Sequence, residues 1–291
     1  MMYLVLIGAI TLGADQHFTE GEVELVADGF QFTEGPVWVD NDKTLLFSDI
    51  PANTIYRLDK SIFRTPSGES NGLTLDREGR LIACEHKNRR VTRTEQNGAI
   101  TVLADKYDGK RLNSPNDVIV RSDGVIFFTD PPYGLPGGLK GPEAELDFCG
   151  LYKIGADGVL SLLAKDFMKP NGLALSPDEK ILYVADTEGK IIRAFDVGDD
   201  GTLSNSRMFC ELPSPDGMKV DTAGNVWATA ADGVRIYDPA GALLQTVRCP
   251  QMPANCAFGE EDSRTLFITA RTGLYKIRAL TPGIRPESVS E

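Results

Sequence analysis

Pro170-Asn171-Gly172-Leu173-Ala174-Leu175-Ser176-Pro177-Asp178 compresses one structural unit into a single stretch. A carboxamide precedes a short apolar run, and the run ends in Ser-Pro-Asp, a cluster suited to a tight turn. Strand-like runs follow at Ile181 to Ala185 and Ile191 to Asp196, rich in the β-branched and aromatic residues that half-buried sheet favours. The same signature recurs in both directions, at Glu34-Gly35-Pro36, Asn71-Gly72-Leu73, Pro115-Asn116-Asp117, Pro215-Asp216-Gly217 and Ala254-Asn255-Cys256. From Glu34 through Asn71, Asn116, Asn171 and Asp216 to Asn255 the steps are 37, 45, 55, 45 and 39 residues, around the period of four-stranded propeller blades. The repeat therefore predicts an all-β fold, a six-bladed β-propeller.

Each unit carries the same later parts. Turn clusters such as Asp76-Arg77-Glu78-Gly79 and Asp221-Thr222-Ala223-Gly224 separate the first strand from a second, for example Leu81 to Cys84 and Val226 to Thr229. Third strands (Arg90 to Thr94, Gly233 to Tyr237) and fourth strands (Ile100 to Ala104, Leu160 to Ala164) complete most units, and no segment has a sustained helical period. The last unit has no fourth strand after Ile277, whereas Glu22 to Ala27 precedes Glu34 as Ile100 to Ala104 precedes Asn116. We expect this N-terminal strand to close the last blade and protect the sheet edges. The organisation is then 1–21 as an N-terminal extension or signal segment, 22–280 as the propeller and 281–291 as a tail.

Composition fits one soluble body: 291 residues, 42% hydrophobic and 25% charged. A formal net charge of -12 argues against a nucleic-acid partner, because phosphate binding needs clustered Lys and Arg. Met1 to Ala14 is apolar yet too short to span a bilayer, so no membrane partner is expected. It is read as the apolar part of an export signal, with a periplasmic or secreted protein as the expectation; the alternative is a cytoplasmic protein with a docked N-terminal extension. Of five cysteines, Cys84 and Cys256 fall at inner strands as buried free thiols, while Cys249 and Cys256 are near enough for a loop disulfide. Oligomeric state is not legible.

In a propeller the innermost strands run along a central channel, so the six polar residues should converge on one mouth. Each offers an oxygen, and Glu34 and Asp216 would repel one another there without a cation. Oxygen ligands without Cys or His suit a hard divalent ion, Ca2+ in preference to Mg2+. The competing structural role is that these residues merely cap turns, since Asn-Gly and Asp-Gly are ordinary turn dipeptides. Residues ending the second strands return to the same mouth. Asp49 and Asp186 are expected to bond loop amides, His86 and Tyr133 to face the mouth along with Arg271, and Asp130 to Gly150 to fold over it as a lid. Gly68-Glu69-Ser70-Asn71-Gly72 satisfies a serine-hydrolase pattern, but that elbow needs a following helix, and strand follows here.

Glu34-Gly35-Pro36-Val37-Trp38, Asn113-Ser114-Pro115-Asn116-Asp117, Pro170-Asn171-Gly172-Leu173-Ala174 and Pro215-Asp216-Gly217-Met218 resemble the senescence-marker-protein-30, gluconolactonase and luciferin-regenerating-enzyme family of six-bladed propellers. The likeness runs from about Glu22 to Arg278. It implies a metal held by Glu34, Asn171 and Asp216, with Asn116 near metal and substrate, and hydrolysis of a sugar lactone as the reaction. It departs at Ser114, where vertebrate members carry an arginine that helps hold the sugar, which leaves the preferred lactone open.

The chemistry expected of such a site is polarisation of a lactone carbonyl by the ion and attack by water. Asp216 is the expected base and Asn116 the residue that orients substrate, with Asn71, His86, Tyr133, Asn255 and Arg271 as further substrate contacts. Two other readings stay open: a phosphotriesterase-like hydrolase on the same centre, and a non-catalytic ligand-binding propeller.

Overall fold

The structure, a computed structural model, describes residues 17–286; the expected signal segment and the end of the tail lie outside them. Six four-stranded antiparallel sheets succeed one another. In the first blade the order from the channel outward is Thr33–Val39, Thr44–Asp49, Thr54–Arg57 and Ile62–Arg64. The blade containing Asn171 is built likewise from Pro170–Leu175, Ile181–Asp186, Ile191–Val197 and Leu203–Glu211. Outside the sheets stand a short ribbon at Lys106–Tyr107 and Lys110–Arg111 and one turn of 3-10 helix at Gly138–Lys140. Among the described residues no helix is long and apolar enough to cross a membrane.

The ring closes as the sequence implies. Thr19–Asp28 pairs antiparallel with Gly273–Ala279, from Thr19 opposite Ala279 to Asp28 opposite Gly273, with irregularities between Glu20 and Glu24 and between Leu25 and Ala27. This strand begins three residues before the expected boundary at Glu22, because Phe18 is already buried in the core of the last blade and its carbonyl accepts from Leu280 N at 2.9 Å.

The core lies between blades rather than within one layer. Trp38 of the first blade stacks on Phe267 of the last at 5.7 Å. Phe127 and Leu151 of the third blade share a cluster with Leu173 and Val184 of the fourth. Each such side chain contributes about 1.5–3 kcal/mol by leaving water. At the end of the channel away from the six polar residues lies a cavity of about 330 Å³, lined by inner-strand residues such as Leu75, Val120 and Phe258 and by Ile284. The tail runs beside it: Ile284 N donates to Val220 O at 2.9 Å and Arg285 pairs with Asp40 at 2.6 Å. The tail from Pro282 to Arg285 is therefore docked rather than free.

All five cysteines are unpaired, with Cys84 and Cys256 buried free thiols as read from the sequence, and the loop disulfide between Cys249 and Cys256 that proximity allowed is not formed. Cys256 sits on the inner strand Asn255–Gly259, turned into the core with its Sγ 3.7 Å from Trp227 O.

Candidate functional site

The six polar residues stand at one mouth, but not as turn caps. Glu34, Asn71 and Asn171 are each second in their inner strands (Thr33–Val39, Ser70–Leu75, Pro170–Leu175), and Asn255 opens Asn255–Gly259. Asn116 and Asp216 lie two residues ahead of Val118–Val120 and Met218–Val220. The glycines that follow serve close approach between blades. A Cβ on Gly72 would stand 2.6 Å from Asn116 O, one on Gly172 2.6 Å from Gly217 Cα, and one on Gly217 2.6 Å from Asn255 Nδ2, all well inside van der Waals contact. Backbone bonds cross at the same places: Gly72 N to Asn116 O at 2.8 Å, Gly172 N to Asp216 O at 3.1 Å, Gly217 N to Ala254 O at 2.7 Å. Ser48 Oγ donates to Asn71 O and Thr129 Oγ1 to Asn171 O, each at 2.8 Å. Asn71, Asn116, Asn171 and Asp216 are thus each held by the blade before.

Acids at the ends of second strands fix the segments leading into the mouth. Asp49 accepts Gln31 N and Phe32 N, both at 3.0 Å, ahead of Glu34. Asp186 accepts Met168 N and Lys169 N, both at 2.9 Å, ahead of Asn171. These are the structural roles expected of them. Asp130 accepts Asn113 N at 2.8 Å ahead of Asn116, but its Oδ1 is buried without a partner, as are Asn113 Oδ1 and the Tyr152 hydroxyl. Burial lifts Asp130 to about 7 against its bonds to the Asn113 and Ser114 amides.

Three acids gather where the channel opens. Burial, together with the charge of Asp117, raises Glu34 to about 7 even though Gly35 N bonds its Oε2 at 2.8 Å. Asp216 is held well above the usual carboxylate range by burial, then by Glu34 and Asp117. Asp117 is raised by burial as well, with Lys219 opposing. The structure therefore brings Glu34 and Asp216 together, as the ring required. Sequence reasoning missed Asp117 and Lys219. The available signals were an acid at Asp117 where four of the other units have glycine, and a lysine between apolar Met218 and Val220.

The remaining expected residues divide in two. Asn171 donates to Thr187 Oγ1 at 3.1 Å, which leaves its carbonyl oxygen to face the mouth. The Tyr133 hydroxyl reaches Thr187 and Asn171, and burial pushes it up to about 12. His86, 6% exposed, meets Asn71 Nδ2 at 3.4 Å, and burial lowers it to about 4, so the ring is neutral. Asn255 accepts Cys256 N at 2.9 Å and donates to Asp117 Oδ2 at 3.4 Å, and so braces Asp117. The long insertion docks on the mouth: a Cβ on Gly134 would stand 2.9 Å from both His86 Cβ and Ser114 Cβ. Ser114 is occupied in holding it, donating to Pro131 O at 2.6 Å and accepting Gly134 N at 2.8 Å. Arg271 stands at the rim with its guanidinium over Phe32 at 5.2 Å.

Among the described residues no three His, Cys, Asp or Glu side chains stand close enough to form a metal site by themselves. A cation here has to draw on amide oxygens too, and the donor set allows it: Glu34 and Asp216 carboxylates with the Asn116 and Asn171 carbonyls are hard oxygen ligands. The mutual raising of Asp216 by Glu34 and Asp117 marks a surplus of buried negative charge that a divalent ion would neutralise. The residues fit such an ion.

Residues 32–272 match the family described as the SMP-30/Gluconolactonase/LRE-like region. The chain is 34% identical to a gluconolactonase of Zymomonas mobilis, covering 90% of this chain and 82% of that protein. It is 31% identical to a regucalcin of Sus scrofa, covering 83% and 84%. Among solved structures, a Xanthomonas campestris protein described as a gluconolactonase superposes with a TM-score of 0.81 at 36% identity, over 88% of this chain and 89% of that one.

Proposed function

The chain belongs to the SMP-30/gluconolactonase/LRE-like family, and from that premise we propose that it is a hydrolase of sugar lactones acting at the mouth that holds Glu34, Asn116, Asn171 and Asp216. The observation that carries the reading is the convergence of Glu34 and Asp216 beside oriented carboxamides. The lactonase relatives support the substrate class.

Bound by Glu34, Asn171, Asp216 and Asn116, a hard divalent cation, Ca2+ by preference, would supply Lewis-acid polarisation of the lactone carbonyl. The protein's own groups do the rest. Asp216 accepts the proton of the attacking water through its carboxylate, a task for which a site screened from bulk water suits it. Asn116, held at its backbone by Thr129 O at 2.8 Å and Gly72 N at 2.8 Å, presents its side chain to the ring of the substrate. Tyr133, 41% exposed, offers a hydroxyl to sugar hydroxyls, and the neutral His86–Asn71 pair forms the wall behind. Water adds to the acyl carbon, the ring C–O bond breaks, and the ring oxygen leaves as a hydroxyl by taking back the proton that Asp216 accepted.

The test is Asp216→Asn, with lactone hydrolysis and calcium occupancy measured separately. A loss of about 10²–10⁴-fold is expected for a general base. Wild-type turnover in the variant would refute the base assignment.

A further inference from the structure

Resting on the lactone-hydrolase reading, we propose that Arg271 is the anion-recognising residue of the mouth, its guanidinium receiving the carboxylate that ring opening creates and so holding the aldonate product. Arg271 ends the second strand of the last blade in a left-handed conformation, φ 48, costly for a long side chain. Its carbonyl accepts Thr33 N at 2.7 Å and Thr33 Oγ1 at 3.3 Å, one residue before Glu34. The backbone is thus pinned across the seam between the last blade and the first.

The side chain is held without being neutralised. Its guanidinium lies 5.2 Å over Phe32 and donates from Nη2 to Met252 Sδ at 3.0 Å, contacts that orient a cation and leave its charge available. Its neighbours at the mouth differ. Lys169 pairs with Glu188 at 2.9 Å and Lys87 with Glu69 at 3.3 Å, while Arg89 is spent on the carbonyls of Leu112 and Glu143 at 2.7 Å each. Arg271 has no carboxylate within 4.0 Å among the described residues. It is exposed, yet near enough to Asp216 to favour that carboxylate's charged form.

The reaction supplies the missing anion. A lactone is neutral; with one water it becomes a hydroxy acid, which ionises to an aldonate and releases one proton. A planar guanidinium matches a carboxylate with two parallel hydrogen bonds, whereas the uncharged ester gives it little to bind. Arg271 therefore discriminates product from substrate, and it sets product inhibition.

The experiment measures D-gluconate affinity by calorimetry on calcium-loaded wild type, Arg271→Ala and Arg271→Lys, alongside KM for glucono-lactone and thermal melts. The alanine variant should bind gluconate at least tenfold more weakly, a loss at least tenfold larger than any change in KM. Lysine should restore only part of it, having the charge without the fork. Gluconate affinity within twofold of wild type in a folded Arg271→Ala, or parallel losses in affinity and KM, would overturn the assignment alone. Wild type that neither binds gluconate nor hydrolyses any lactone would overturn it together with the lactonase reading.

Discussion

Replacing Gly172 with alanine tests whether close approach of blades sets the site. The added Cβ would meet Gly217 Cα at 2.6 Å, and Asp216 O closer still. Both are backbone atoms and cannot turn aside. Gly172 is not among the left-handed glycines, so the cost is steric rather than conformational. Ordinary contact begins at 3.4 Å, so the fourth and fifth blades must part by about 0.8 Å to clear Gly217 Cα and by more to clear Asp216 O. Overpacking of this kind costs about 1–3 kcal/mol, and weakening the Gly172 N to Asp216 O bond adds about 1 kcal/mol. At about 2–4 °C per kcal/mol for chains somewhat shorter than this one, the melting temperature should fall by roughly 4–16 °C. The same shift moves Asp216 away from Asn171, and a displacement near 1 Å costs on the order of 100-fold in turnover. Differential scanning fluorimetry and a pH-indicator lactone assay read both. Gly124→Ala is the control: φ is +90 with nothing within 4 Å, so it should lose about 1 kcal/mol to backbone strain and keep its kcat/KM. A Gly172→Ala protein with wild-type melting and turnover would refute the reasoning.

Chelation should abolish lactone turnover and calcium should restore it. Calcium at a hundred times its Kd should also add about 2.7 kcal/mol of stability, read as a calcium-dependent rise in melting temperature; a melt indifferent to calcium would count against the ion. Asp130→Asn should flatten the dependence of stability on pH. Burial raises Asp130 from 3.8 to about 7, so its contribution is full below about 4 and is lost as pH rises through 7, by up to about 1.4 kcal/mol per pH unit. An asparagine keeps the acceptor for Asn113 N and places an amide where Asp130 Oδ1 now lacks a partner. Denaturant titrations at pH 5 and pH 8 should therefore differ less for the variant than for wild type, Glu34 and Asp216 keeping the remainder of the pH dependence; equal pH dependence in the two would contradict it.

The fold was legible because repetition speaks louder than propensity: turns and second strands fall where six similar units put them, and even the blade-closing strand was readable from its place before Glu34. The mouth residues were legible for the same reason. Their environment was less so. Asn-Gly at Asn71 and Asn171 reads as turn chemistry, yet both glycines lie inside strands and serve inter-blade contact, a relation between segments about 45 residues apart that local pattern cannot carry. Asp117 was overlooked because Asn116 beside it already filled the repeat. The register placed Asn255 at the mouth, but its partners there, Asp117 and Cys256 N, are fixed by tertiary packing that local pattern does not show. Cys249 and Cys256, near enough in sequence to pair, stay free, because proximity in sequence says nothing of which face a thiol takes.

The shared last blade dictates when the site can exist. Thr33, beside Glu34, is bonded to Arg271, 238 residues further along, and the outermost strand of that blade is made before the other strands of the propeller while its partner Gly273–Ala279 is made after them. Five blades can form during synthesis, each from neighbouring segments, yet the ring that gives the acids a common centre closes only when the first and last strands of the propeller pair. Catalytic competence should therefore arrive in one late event, and a polypeptide stalled anywhere in the sixth blade should be well folded over most of its length and inert.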